Sequence, residues 1–155
     1  MLINGLRMWL FAMIATGFLS AVTPASAADT LVSTNLTTVW KYLDDGSDQG
    51  AAWRAVGFND SSWSNGVPQF GYGDADVTTV VNSNRTDGTR IITTYFRHVF
   101  TNDLLDVNNL LIRLIRDDGA AIYINGTEVF RNNLPAGPIA FNTLAVAAAP
   151  DENTR

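Results

Sequence analysis

Between Leu110 and Arg131 the chain alternates short apolar runs with turn residues, the most regular pattern it contains. Leu110 to Arg116 is branched and apolar and is broken by Asp117-Asp118-Gly119. Ala120 to Ile124 forms a second run, and Asn125-Gly126 separates it from Thr127 to Arg131. Asn-Gly supplies the positive φ angles of a type I′ turn, whose twist matches the flanking strands. The pattern predicts short β-strands with a tight hairpin at 125–126.

The same logic reaches upstream. Val39 to Leu43 alternates and predicts a strand, and Asp44 to Gly50 is a long turn dense in Asp and Gly. Ala51 to Gly66 places Trp53, Phe58 and Trp63 at no helical or strand period, which predicts an irregular segment pinned to the core by its rings. Asp60 to Trp63 predicts one helical turn capped by the Asp60 carboxylate. Val67 to Gly73 and Val77 to Val81 are short extended pieces. Ile91 to Thr101 predicts the longest strand, with Phe96, His98 and Phe100 on one face and Tyr95, Arg97 and Val99 on the other. Segments 82–90, 102–109 and 132–138 read as loops. No helix of three turns is expected, and short strands punctuated by Gly and Pro are the mark of a sandwich or barrel.

The first residues follow a different rule. Arg7 precedes a run from Met8 to Val22 without charge, and Pro24-Ala25-Ser26-Ala27 follows it. A basic start, an apolar stretch and an A-x-A exit predict a secretory signal peptide at 1–27, cut after Ala27. An uncleaved anchor is the alternative, because the run approaches the length that spans a bilayer. Residues 28–38 are polar and β-branched and read as a leader strand or disordered mature start, with the sandwich over 39–155. The expected destination is secreted, periplasmic or cell-surface.

At 155 residues the chain is one domain's worth of sequence. It has no cysteine, so an exported fold must hold by core burial or bound metal. The net charge of −5 becomes −6 once Arg7 leaves with the leader. An acidic domain argues against nucleic acid and, after cleavage, against an anionic membrane surface.

The tract RDDGAAIYINGTEVF resembles the hairpin of galactose-binding-domain-like β-sandwiches from secreted bacterial proteins. Trp40 to Asp74 and the tract TTYFRHVF (Thr93 to Phe100) fall in the same order as in those modules. FNDSSW (Phe58 to Trp63) is similar to the sugar-binding-fold domain of glycoside hydrolase family 2. The resemblance covers Thr38 to Val146. It implies an all-β, antiparallel β-sandwich of jelly-roll type, acting as a non-catalytic module for carbohydrate binding or scaffolding within a larger exported protein. Such modules close with a further apolar strand, and nothing after Asp151 supplies one, so the last strand is expected to be missing. Two rival readings stay open. One is the N-terminal domain of an exported glycoside hydrolase or phosphoesterase; the other is a structural adhesion or spacer module.

Candidate chemistry is sparse. The single histidine, His98, would have to be the base of any Ser-His-Asp arrangement, and Phe96 and Phe100 beside it predict a packed residue instead. No catalytic residue is assigned. Asp44, Asp45, Asp48, Asp74 and Asp76 sit beside turn residues, where Asp accepts backbone hydrogen bonds; calcium is the competing reading. DDGSDQG lacks the spacing of an EF-hand loop. Asp117 and Asp118 likewise suit a turn before Gly119, but the DDG-strand-NG pattern also resembles protective-antigen-type lectin domains. In calcium-dependent members of that family, an adjacent Asp pair chelates the ion that holds sugar hydroxyls. The resemblance therefore implies calcium on Asp117 and Asp118, with the third ligand not placed. Among the aromatics, Trp40 and Trp63 are assigned to the core. Trp53 and Tyr72, near Gly-rich loops, are the expected exposed pair for stacking on a sugar ring.

Overall fold

The computed structural model describes residues 9–13, 32, 36–101 and 110–148. Nine strands appear among them: β1 (Trp9–Met13), β2 (Trp40–Leu43), β3 (Ser64–Gly66), β4 (Phe70–Gly71), β5 (Thr79–Val80), β6 (Tyr95–Arg97), β7 (Leu111–Ile115), β8 (Ala120–Ile124) and β9 (Thr127–Asn132). The only helical element described is a 3-10 turn over Ala52–Arg54. The protein is all-β, and no helix among the described residues is long and apolar enough to cross a membrane.

A three-stranded antiparallel sheet in the order β3-β2-β6 organises the first half. Tyr42 lies opposite Phe96, and Lys41 opposite Arg97. Alternation sends Tyr42 and Phe96 to one face, where both rings close on Phe70 at centroid distances of 5.5 and 4.8 Å. Trp40 joins Phe70 and Val81 in the same buried cluster. Tyr95 projects to the other face and packs against Trp63, itself buried, at 6.0 Å. The sheet thus carries aromatic rings on both sides, as a sandwich layer does. Gly66 is required where β3 passes this core: a Cβ there would stand 2.7 Å from both Phe70 Cε1 and Thr79 Cγ2.

The hairpin follows the sequence pattern closely. Asn125 and Gly126 take φ of +50° and +85°, as the turn demands, and β8 and β9 pair antiparallel around them. A register shift at Ile122/Tyr123 marks a bulge. Beyond the hairpin, Asn133 clamps the returning chain: its Nδ2 donates to the Ala147 carbonyl at 2.6 Å, and its Oδ1 accepts from Ala147 N at 3.2 Å.

Several expectations need correction. The strand predicted over Ile91–Thr101 is confined to Tyr95–Arg97, because β2 offers a partner only that long and Ile91 N is spent on Ser83 O at 2.9 Å. The pieces predicted at 67–73 and 77–81 shrink to β4 and β5, which pair in parallel. Residues 72–78 make a full loop there, and the Gln69 carbonyl accepts from Thr78 N and Thr79 N, both at 2.9 Å. The turn at 60–63 forms, with Trp63 N donating to Asp60 O at 3.0 Å, but the Asp60 carboxylate does not cap it. Asn59 Oδ1 accepts from Ser61 N instead. Val32, read as part of a leader ahead of the sandwich, is 2% exposed and belongs to the core cluster with Trp40, Phe70 and Val81. Within the expected signal peptide only 9–13 is described, as the antiparallel partner of β7. The loop read at 102–109 lies outside the described residues, as do residues 149–155.

Candidate functional site

A cleft of 810 Å³ opens between the 40–97 sheet region and the β8–β9 hairpin. That volume falls in the range of small-ligand sites. Trp53, Tyr72, Asp117 and Asp118 all line it, although Trp53 and Asp118 are far apart in sequence.

Trp53 sits on the 3-10 turn, and its half-buried ring meets Tyr95 edge-on at 5.1 Å and Tyr123 of β8 at 5.6 Å. The Arg54 guanidinium lies over the Tyr123 ring at 4.6 Å, within cation–π range. These contacts join the hairpin to the first half at the cleft. Tyr72 enters from the loop after β4. Arg90 lies 5.3 Å over its ring and donates from Nη2 to its hydroxyl at 2.8 Å. Trp40 and Trp63 are buried, as expected of core rings, whereas Trp53 and Tyr72, expected to be exposed, are half-buried at the cleft.

Burial pushes the Tyr95 phenol above its ordinary pKa, and the charges of Asp48 and Asp45 push it further. Burial also raises Tyr123, helped by the hydrogen bond its hydroxyl donates to Glu128 at 3.0 Å. Glu128 is drawn below the usual carboxylate range by Arg131, which grips it with Nε and Nη2, each at 2.7 Å. Both tyrosines line the cleft.

Asp117 and Asp118 occupy the bend between β7 and β8, joined by a cis peptide bond. Arg116 Nη1 and Asn133 Nδ2 both donate to the Asp118 carbonyl, and Arg116 Nε donates to Asn132 Oδ1 at 2.7 Å. Gly119 keeps the bend tight: a Cβ would stand 2.8 Å from Leu134 Cδ2 and 3.0 Å from the Asn133 carbonyl oxygen. Asp117 is only 6% exposed. It interacts with its surroundings. A hard cation takes carboxylate oxygens as ligands. The donor set is short, however. No group of three His, Cys, Asp or Glu side chains that could hold a metal occurs among the described residues. Calcium here would have to complete its shell with carbonyl, amide or ligand oxygens.

Of the other acidic candidates, Asp45 and Asp48 show turn chemistry. Asp45 Oδ1 accepts from Ser47 N and Asp48 Oδ1 from Gly50 N, both at 2.8 Å. Asp44 Oδ2 reaches further and accepts from Asn82 N at 2.6 Å. Asp76 Oδ2 accepts from Gln69 Nε2 at 3.3 Å. His98 stands outside the cleft lining, tilted against Trp40 at 4.9 Å with Nδ1 3.1 Å from the Val39 carbonyl oxygen.

Reading the sequence missed Arg54, Arg90 and Tyr123 as cleft residues, and Arg97 as the side chain that holds Trp53 in place. Tyr123 had a usable signal. It lies two residues from Ala121 along β8, so both share one face of the strand. The arginines had none. No family model, curated protein or solved structure matches this chain.

Proposed function

We propose that this chain is an exported, non-catalytic accessory module of jelly-roll, galactose-binding-like type that binds carbohydrate in the cleft between sheet and hairpin. The convergence of Trp53, Tyr72, Asp117 and Asp118 on one cavity carries the reading. A pyranose has an apolar face that stacks on aromatic rings and hydroxyls that exchange hydrogen bonds with Asp, Arg and Tyr, and this lining offers both kinds of group. Asp117 and Asp118 would hold a calcium ion, which when bound supplies a point of attachment for sugar hydroxyls. Arg116 and Asn133 fix the bend on which the pair sits, and Arg97 fixes the turn that carries Trp53.

A glycan array followed by calorimetry, with calcium and with chelator, tests this. Binding is expected that weakens about tenfold or more in Trp53→Ala. A folded chain that binds no glycan under either condition, or whose binding is indifferent to Trp53→Ala and to Tyr72→Ala, overturns the reading.

A further inference from the structure

The one strand paired with β7 among the described residues is β1, and β1 lies inside the segment that the sequence marks for removal. The ladder is regular, running antiparallel from Trp9 opposite Ile115 to Met13 opposite Leu111. β7 is not hydrogen-bonded to the β8–β9 hairpin that follows it. Taking residues 1–27 away therefore strips a full row of N–H and C=O groups from a strand of high β-propensity. Natural sheets blunt such edges with proline, lysine or a bulge. Leu111–Ile115 has none of these and carries one charge, Arg113. The hairpin, by contrast, has a bulge and the charged residues Glu128 and Arg131.

We propose that this edge of β7 is a strand-acceptor site. In the uncleaved chain Trp9–Met13 closes it in cis. Once the leader is gone, an extended apolar segment of another polypeptide takes its place, added antiparallel. The segment seated in the structure defines what the site takes: five residues, WLFAM, uncharged and without proline or glycine. Main-chain bonds supply the affinity in this mode of recognition, so a different apolar sequence can replace the leader. A second copy of the chain is a poorer occupant. Pairing β7 with itself in the centred antiparallel register sets two copies of Arg113 opposite each other, and like charges directly opposite destabilise a ladder.

The test uses the full chain carrying Leu10→Pro and Ala12→Pro, which break the leader's ladder and leave residues 36–148 unaltered. A fluorescent peptide with the sequence of residues 7–15, RMWLFAMIA, is titrated in. The variant is expected to bind it about tenfold or more tightly than the parent chain, whose edge is filled, and to ignore the same peptide bearing both prolines. With Arg113→Cys added, the variant should form a disulfide with a peptide carrying Cys in place of Phe11, since those positions are paired. No binding by the variant, or equal binding of the proline-bearing peptide, overturns the site. A dimer of the proline variant that retains Arg113, seen by analytical ultracentrifugation, makes the second copy the occupant and overturns the choice of partner. A separate check avoids the prolines. Phe11→Cys with Arg113→Cys in one chain should close a disulfide, because directly opposed strand residues lie within its Cα range, and failure to close also overturns the proposal.

Discussion

Arg97 Nε donates to Asp60 Oδ2 at 2.8 Å, and this ion pair ties β6 to the irregular segment that carries Trp53. The same guanidinium donates from Nη1 to the carbonyls of Trp53 and Ala55 and lies 5.2 Å over the Phe58 ring. One strand side chain thus anchors an aperiodic stretch at four places. Arg97→Met keeps the apolar stem and removes every hydrogen bond. It should destabilise the fold by about 2 kcal/mol in urea unfolding, the scale of bonds to a charged group. Asp60→Asn should cost less, because an amide oxygen can still accept from Arg97.

Gly66→Ala reverses the usual preference of a strand for alanine over glycine. Its Cβ would stand 2.7 Å from Phe70 Cε1 and Thr79 Cγ2, inside a packed core. A loss of about 1–3 kcal/mol is expected from the overpacking. A stability gain in the same urea titration would contradict the core geometry at this point.

Phe70 lies at the centre of the buried cluster, against Tyr42 and Phe96. Phe70→Ala should cost about 3–5 kcal/mol by cavity formation. Val80 follows β4's partner Thr79 yet is 70% exposed, so Val80→Ala should fall within about 0.5 kcal/mol of the parent. Paired thermal melts of the two variants make the comparison.

If calcium occupies the Asp117–Asp118 bend, it stabilises the folded chain by mass action, roughly 2.7 kcal/mol at about a hundredfold over its Kd. The melting temperature should then rise by several degrees, and Asp118→Asn should abolish the rise while keeping the fold. A melting curve unmoved by calcium leaves the pair as turn chemistry alone.

The raised pKa values of Tyr95 and Tyr123 fix a sign for alkaline stability. The unfolded phenols lose their protons near about pH 10 while the folded ones still hold theirs. The stability they contribute is full below that pH and falls as pH rises toward the folded values. Tyr95→Phe and Tyr123→Phe should each flatten the alkaline decline of Tm, and tyrosinate absorbance should lag in the folded parent. Glu128 acts at the other end. Its lowered pKa makes a contribution that is present above the unfolded carboxylate value and lost on acidification.

What the sequence revealed was what is local. Asn125-Gly126 dictates its own φ angles, and alternation over five residues suffices for β8, so the hairpin was legible to the residue at its turn. Trp40 could be separated from Trp53 because one sits within a strand and the other near a Gly-rich loop. Partnerships between distant segments were not legible. The partner of β7 lies a hundred residues upstream, and β4 meets β5 in parallel through a loop whose course depends on Gln69 and Thr79. Trp53, Tyr72, Asp117 and Asp118 could each be named as a candidate alone. Their meeting in one cleft follows from where the hairpin docks, through Tyr123 against Trp53 and Arg54.

Trp53 stands edge-on to a ring on either side of the opening, Tyr95 on the sheet and Tyr123 on the hairpin. The protein therefore carries an intrinsic optical gauge of its own aperture. Any hinge-like departure of the hairpin from the sheet alters the Trp53–Tyr123 separation and with it the efficiency of tyrosine-to-tryptophan energy transfer. Trp40 and Trp63 are sealed in the interior while Trp53 is half-buried at the cleft, so a diffusible quencher reaches Trp53 before either of them. Gap width and its response to any occupant can be followed without attaching a dye.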